Sequence, residues 1–336
     1  GYDPSMLVGK NRGKNYAALV QDPYKPLFDR AIQAAYPPGS TFKPTQGLIF
    51  LQEGVVTEKT VYPCHRGYVN GLRVGCHGHA SPIALKPALQ TSCNAYFCWG
   101  FKNMVDRKGT TAAALEKWKN YLVEMGYGYR LGIDLPAESR GFIPNSGFYT
   151  DRLGQWSANS VISVSIGQGE ILATPLQIAN LCATIANRGW YYTPHVVKEI
   201  QDTVIDVKYR SRHTPHIRRT YYDMVAEGMR MAVLGGTCRL ANIPGLDVAG
   251  KTGTAQNPHG KDHSAFMGFA PYDKPRIAVA VYVENAGFGA TYGVPIGSLI
   301  IEKYLRGEIA PERKGIEERM MTSRTITAKS NGKDKH

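Results

Sequence analysis

The sequence predicts an α+β fold: an antiparallel sheet flanked by helices, with an all-helical lobe beside it. Two observations carry that expectation. Strand-like runs at 246–256, 264–270 and 277–283 follow one another across short connections, which favours antiparallel pairing. Helical signals dominate residues 82–125 and recur later, segregated from those runs rather than alternating with them. The chain has 336 residues, 43% hydrophobic and 20% charged, which is enough apolar material for a substantial core and unlike a disordered chain.

The elements follow in order. Residues 1–39 read as loop, with Pro, Gly, Asn and Lys scattered through them. A helix is expected from about Ser40, after Pro37-Pro38-Gly39, to a stop at Gly54. Asn70-Gly71, between Tyr68-Val69 and Leu72-Arg73-Val74, predicts a hairpin with a two-residue turn. That register sets Val69 against Leu72 and Cys76 against His65. Residues 82–125 are expected to be helical with a break near Ser92, closing at Gly126. Thr174 with Pro175 is an N-cap and first-turn proline, and Gly189 ends that helix. Strand-like runs at 196–200 and 203–209, a helix at 220–234, the three strands and a last helix at 296–306 complete one two-lobed domain, 1–306. Residues 307–336 turn polar and basic and are expected to be disordered.

The net charge is +13, which suits an anionic partner or none. No RRM-like aromatic pattern or zinc-finger helix is present, so nucleic acid is not expected as a partner. Tyr191-Tyr192 and Tyr221-Tyr222 read as packing rather than base stacking, and Arg210, Arg212, Arg218 and Arg219 as a solvated basic loop. No window reaches the roughly 18 apolar residues of a membrane helix. The start at Gly1, without Met or a signal-like stretch, reads as that of a fragment.

Three short motifs carry chemistry. Ser40-Thr41-Phe42-Lys43 is an S-x-x-K, whose first and fourth positions share a helix face, so the amine can take the hydroxyl proton. The helix N-terminus beside Lys43 disfavours the charged amine. Ser92-Cys93-Asn94 is an S-x-N, able to project a proton-relaying hydroxyl and an amide into a cleft. Lys251-Thr252-Gly253-Thr254 lies on an expected strand, with Lys251 and Gly253 on one face and Thr252 and Thr254 on the other. Lys251 suits a carboxylate, and Gly253 leaves room for a substrate backbone. Taken singly these motifs are unspecific: Ser157-Ala158-Asn159 also matches the second, and Ser330-Asn331-Gly332-Lys333 the first.

In this order, however, the trio is that of penicillin-binding proteins and class A β-lactamases. Tyr36-Pro37-Pro38-Gly39-Ser40-Thr41-Phe42-Lys43-Pro44 resembles the nucleophile segment of class B penicillin-binding proteins. So do Ile166-Gly167-Gln168-Gly169-Glu170, Thr174-Pro175-Leu176-Gln177, Ala186-Asn187-Arg188-Gly189 and Ala249-Gly250-Lys251-Thr252-Gly253-Thr254-Ala255-Gln256. The likeness covers roughly 25–306 and is nearest the elongation type, penicillin-binding protein 2. It implies a penicillin-binding, serine β-lactamase-like transpeptidase fold. It also implies a D,D-transpeptidase that needs no cofactor for catalysis and is acylated by β-lactam antibiotics.

In the roles it implies, Ser40 attacks the penultimate D-Ala of a peptidoglycan stem peptide and Lys43 is the base. The backbone N–H groups of Ser40 and Thr254 hold the oxyanion, and Ser92 protonates the leaving amine. Asn94 binds the donor amide, while Lys251, Thr252 and Thr254 hold the terminal carboxylate. A membrane-bound cell-wall synthesis complex with a glycosyltransferase is implied as partner. The domain would lie outside the cytoplasm on the inner membrane, with anchor and pedestal preceding Gly1. Two other readings use the same trio. A β-lactamase needs a Glu that drives hydrolysis, for which Glu138 and Glu170 fall in the right interval. A non-catalytic sensor acylates and stops.

Cys64, Cys76, His79 and Cys93 form a further cluster. Cys76 and His79 have C-x-x-H spacing, and Cys93 lies inside the second motif. Some elongation-type members carry a metal with acidic, His and Cys ligands here, whereas this chain has Cys where Asp is expected. The readings are a structural zinc, with His77 as the alternative to His79, a Cys64–Cys76 disulfide, or no connection. Cys98, Cys182 and Cys238 read as buried small apolar side chains.

Overall fold

The computed structural model describes residues 1–107 and 109–325. The early helices are α1 (Arg12–Gln21), α2 (Lys43–Gln52), α3 (Leu85–Thr91), α4 (Asn94–Val105), α5 (Thr111–Glu124) and α6 (Ser146–Leu153). The later ones are α7 (Pro175–Ala186), α8 (Arg219–Gly235), α9 (Gly293–Arg306) and α10 (Lys314–Thr322). Short strands pair as β1 (Val61–Tyr62) with β4 (Ile83–Ala84), β2 (Gly67–Val69) with β3 (Arg73–Gly75), and β5 (Tyr191–Tyr192) with β6 (Arg212–His213). The main sheet is antiparallel, in the order β7 (Ala249–Ala255), β8 (His263–Ala270), β9 (Ile277–Val283). The architecture is the α+β arrangement expected.

Strand β8 explains how sheet and helices cohere. It is buried on both faces, so apolar side chains run through it instead of alternating with polar ones. Phe266 and Ala270 enter one core with Val294 and Ile301 of α9, while Met267 and Phe269 join a second core with α2, α4 and α7. The Phe266 ring sits where Cβ atoms on Gly250, Gly268 and Gly297 would come within 2.6, 2.5 and 2.3 Å of it. Glycine at all three is what lets α9 settle on the sheet. In the helical lobe, α2 is buried from Lys43 to Leu51, and Phe42 meets Trp118 and Tyr127 edge-on.

Several expectations are corrected. Within 1–39 the chain forms α1, and α6 was likewise not anticipated. The hairpin pairs Val69 with Arg73, so Cys76 N–H donates to Arg66, not His65. The cause is a three-residue connection, with Gly71 at φ +70°, in place of a two-residue turn. Residues 196–200 and 203–209 are not strands: only an Ile200–Thr203 bridge and a short 3₁₀ turn form, and Val196, Val204 and Val207 stay exposed, with no face to bury. The chain also does not dissolve into coil at 307. A 3₁₀ turn, Pro311–Arg313, leads into α10. Arg313 Nε reaches Glu302 at 2.7 Å and its Nη2 donates to Ser298 Oγ at 2.6 Å, with Glu302 fully buried. Composition hid this because the docking rests on one buried ion pair and the single buried apolar residue Ile309 rather than on an apolar stripe. Residues 326–336, including the second S-x-x-K, lie outside the described residues.

Candidate active site

The nucleophile turn is built on glycine. Gly39 has φ +55°, and a Cβ there would lie 2.7 Å from the Thr254 carbonyl oxygen. The turn can therefore lie against β7, held by Gly39 N–H donating to Gly167 O at 2.8 Å. Ser40 stands in the 3₁₀ turn Gly39–Phe42, and Lys43 opens α2 directly after it. Lys43 is fully buried, and its amine donates to Asn94 Oδ1 (2.6 Å), Ser92 O (2.7 Å) and Ser92 Oγ (3.1 Å). Among the described residues it makes no hydrogen bond to Ser40 Oγ; its link is to the second motif. Burial lowers its pKa to about 8, against the opposing pull of nearby thiols. Desolvation, rather than the helix terminus expected from sequence, is the leading cause.

Ser92 is where α3 ends and α4 begins, the break the sequence anticipated. It adopts φ 59°, ψ 40°, a left-handed state costing a non-glycine residue about 1–2 kcal/mol. Its hydroxyl lies between two amines, Lys43 at 3.1 Å and Lys251 at 2.8 Å. Asn94 is engaged at both ends of its amide, its Oδ1 on Lys43 and its Nδ2 on Gly75 O at 2.7 Å. It therefore braces Lys43 against the hairpin. The decoy Asn159 is structural: it accepts from Tyr68 Oη and donates to Asn70 O, fastening the hairpin tip.

On β7 the expected alternation holds, but two of its consequences differ. Thr252 and Thr254 face the cleft. Lys251 is fully buried, donating to Ser92 Oγ and Thr252 O (3.1 Å), and burial followed by repulsion from Lys43 lowers its pKa to about 7. It is not an open charge awaiting a carboxylate. A Cβ on Gly253 would meet Thr41 Cγ2 at 2.9 Å and Pro38 O at 3.1 Å, so this glycine makes room for the nucleophile turn rather than for substrate.

Ser40, Ser92, Asn94, Thr237, Thr252 and Thr254 line one cleft of about 580 Å³. Thr237, Arg239, Gln168, Asp262 and Phe288 also line it and were not singled out as site residues from sequence. Gln168, which lies in a stretch the family likeness already marked, donates to Thr254 O at 3.0 Å. Thr237 accepts from the Thr252 hydroxyl at 2.8 Å, a contact with no local sequence signal. Neither candidate for a hydrolytic Glu lines the cleft. Glu138 accepts from the N–H groups of Leu131, Gly132 and Ile133, and Glu170 from Tyr149 Oη at 2.9 Å.

Cys64, Cys76, His79 and Cys93 present ligand atoms all within 4.8 Å of one another. A tetrahedral zinc ion needs such atoms roughly 3.3–3.8 Å apart, so the donor set fits after a small contraction. All six cysteines are free thiols, with no Cys64–Cys76 bond. Cys76 accepts from Asn94 N–H at 3.3 Å and contacts His79 Nε2 at 3.4 Å; the Cys93 thiol hydrogen bond, with these, pulls its pKa down. His77 instead meets Thr91 O and is not part of the cluster.

The model of the penicillin binding protein transpeptidase domain matches residues 5–302. Peptidoglycan D,D-transpeptidase MrdA of Acinetobacter baumannii is 33% identical over 320 residues, 86% of this chain and 45% of that protein. Among solved structures, Pseudomonas aeruginosa PBP2 in complex with WCK 5153 superposes with a TM-score of 0.75 at 30% identity, covering 93% of this chain and 71% of that one. A structure described as the coordination of polymerization and crosslinking by a peptidoglycan synthase complex gives 0.78 at 30% identity, covering 93% and 53%. The chain belongs to the penicillin-binding protein transpeptidase family. It spans about half the length of the curated relatives it matches.

Proposed function

We propose that this domain is a serine D,D-transpeptidase of peptidoglycan synthesis, inhibited covalently by β-lactams. One observation carries the reading: two buried amines of lowered pKa share the hydroxyl of Ser92 in a cleft that also holds Ser40. Ser40 Oγ attacks the carbonyl of the penultimate D-Ala of a donor stem peptide, and its proton passes to neutral Lys43. The oxyanion accepts from the backbone N–H groups of Ser40 and Thr254, donors typically worth about 3–4 kcal/mol in the transition state. The C–N bond then breaks, and Ser92, fed by the lysine pair, protonates the departing D-Ala amine. An acceptor amine attacks the resulting ester, forming the cross-link and returning the proton to Ser40. The catalytic residues are thus Ser40, Lys43 and Ser92, with Asn94 positioning Lys43 and Thr252 and Thr254 holding the donor terminus. No cofactor takes part in this chemistry.

A zinc ion held by Cys64, Cys76, His79 and Cys93 would be structural, bracing the Ser92–Asn94 turn. The likeness to MrdA and to the synthase complex favours a glycosyltransferase partner at the cytoplasmic membrane, with the domain on its outer side where peptidoglycan is built. Among the described residues no helix is long and apolar enough to cross a membrane.

Intact-protein mass spectrometry during incubation with benzylpenicillin tests the reading. The wild type should gain one adduct that persists for hours. Ser40→Ala should gain none while melting normally. Full labelling of the folded variant would sink the assignment, and an adduct cleared within seconds would mean a hydrolase.

A further inference from the structure

Lys251 reaches this cleft only through the Thr252 hydroxyl, and a second cation stands open to it. The Lys251 amine is fully buried, and it donates to Ser92 Oγ, to Thr252 O and, at 3.5 Å, to Thr252 Oγ1. The exposed side chain of Arg239 lines the same cleft. Among the described residues it has no hydrogen-bond or ion-pair partner, and a guanidinium stays charged at any physiological pH. It follows Thr237 by two residues, and Thr237 Oγ1 accepts from the Thr252 hydroxyl at 2.8 Å. The carboxylate of Asp262 lies at the far end of the strand, next to His263, which pairs with Ala255. Thr252 and Ala255 are about 10 Å apart along β7. The cleft therefore takes a guanidinium from the segment that meets Thr252 and a carboxylate from the segment beside Ala255.

We propose that Arg239 is the specificity-determining cation that reads the terminal carboxylate of the donor peptide and of the β-lactams that imitate it. The hydroxyls of Thr252 and Thr254 add neutral hydrogen bonds, and the guanidinium fork supplies the charge in a geometry matched to a carboxylate. Lys251 acts inward, on Ser92. The polarity of the cleft orients the donor with its carboxylate toward Thr252. This assignment rests on the acyl-transfer reading above.

The test compares second-order acylation rates of wild type, Arg239→Gln and Arg239→Lys with benzylpenicillin and with its methyl ester, which lacks the charge. Arg239→Gln should slow benzylpenicillin about 10- to 100-fold, the span expected for losing a charged hydrogen bond, and change the ester less than about twofold. Arg239→Lys should fall between. Equal slowing of both compounds, or no slowing of either, overturns the assignment even though the protein is acylated. If the wild type itself takes up neither compound, the acyl-transfer reading fails, and this one with it. Because Arg239 is exposed, both variants should melt like the wild type.

Discussion

At the scale of single residues, the chemistry of the cleft depends on burial. Lys43 and Lys251 are both fully buried and converge on one hydroxyl, and among the described residues no carboxylate pairs with either amine. Burial disfavours the charged form of each, which costs stability and leaves a usable base near neutrality. With Lys43 at about 8, protonation removes the base as pH falls, so acylation by benzylpenicillin should rise about tenfold per pH unit through the acid range and level off above about 8. A pH–rate profile that stays flat between 6 and 9 would show that Lys43 is not the base. The motif residues were legible because fixed spacings on a helix, a helix break and a strand put them within reach of one another. Their environment was not. Spacing says nothing of desolvation, so the burial of Lys43 and Lys251 was not foreseen.

At the scale of elements, the α3–α4 junction concentrates the contacts that hold Ser92. The junction residue is left-handed, and the Asn94–Gly75 hydrogen bond and the grouping of Cys93 with Cys76 tie the turn to the β2–β3 hairpin. Protein purified without added zinc should carry about one equivalent of the metal by elemental analysis. Its removal by a chelator should lower the melting temperature and slow acylation. Less than about a tenth of an equivalent would refute the site, since closed tetrahedral sites bind tightly. The grouping of Cys64, Cys76, His79 and Cys93 was legible although the hairpin register was off by one residue. The sulfur atoms approach through the ends of the hairpin and the N-terminus of α4, so strand pairing does not decide the cluster. The failed strands at 196–209 show the opposite limit. Alternating apolar residues describe a strand only when one face has something to cover it, and here none does.

For the whole molecule, the order of helices and strands was readable because apolar periodicity and capping agree, as at the Thr174–Gln177 capping box. What escaped notice was the segment after Gly307, which forms a 3₁₀ turn and α10. Glu302 is fully buried, and its carboxylate is met by Arg306 at 2.7 Å and by Arg313 at 2.7 Å, with Arg313 itself largely buried. A chain ending after Gly307 would retain all three motifs and both cores yet lose one of those two guanidinium groups. Removing one side of a buried charge group costs about 3 kcal/mol or more, so the shortened protein should unfold at a lower urea midpoint with similar cooperativity. An unchanged midpoint would mean that Arg306 alone satisfies the carboxylate. The unit of folding is thus set by charge balance as well as by hydrophobic pattern: both large apolar cores close with α9, while buried Ile309 and the Arg313 that answers Glu302 lie beyond it, so a boundary drawn at the cores would cut through the charge group.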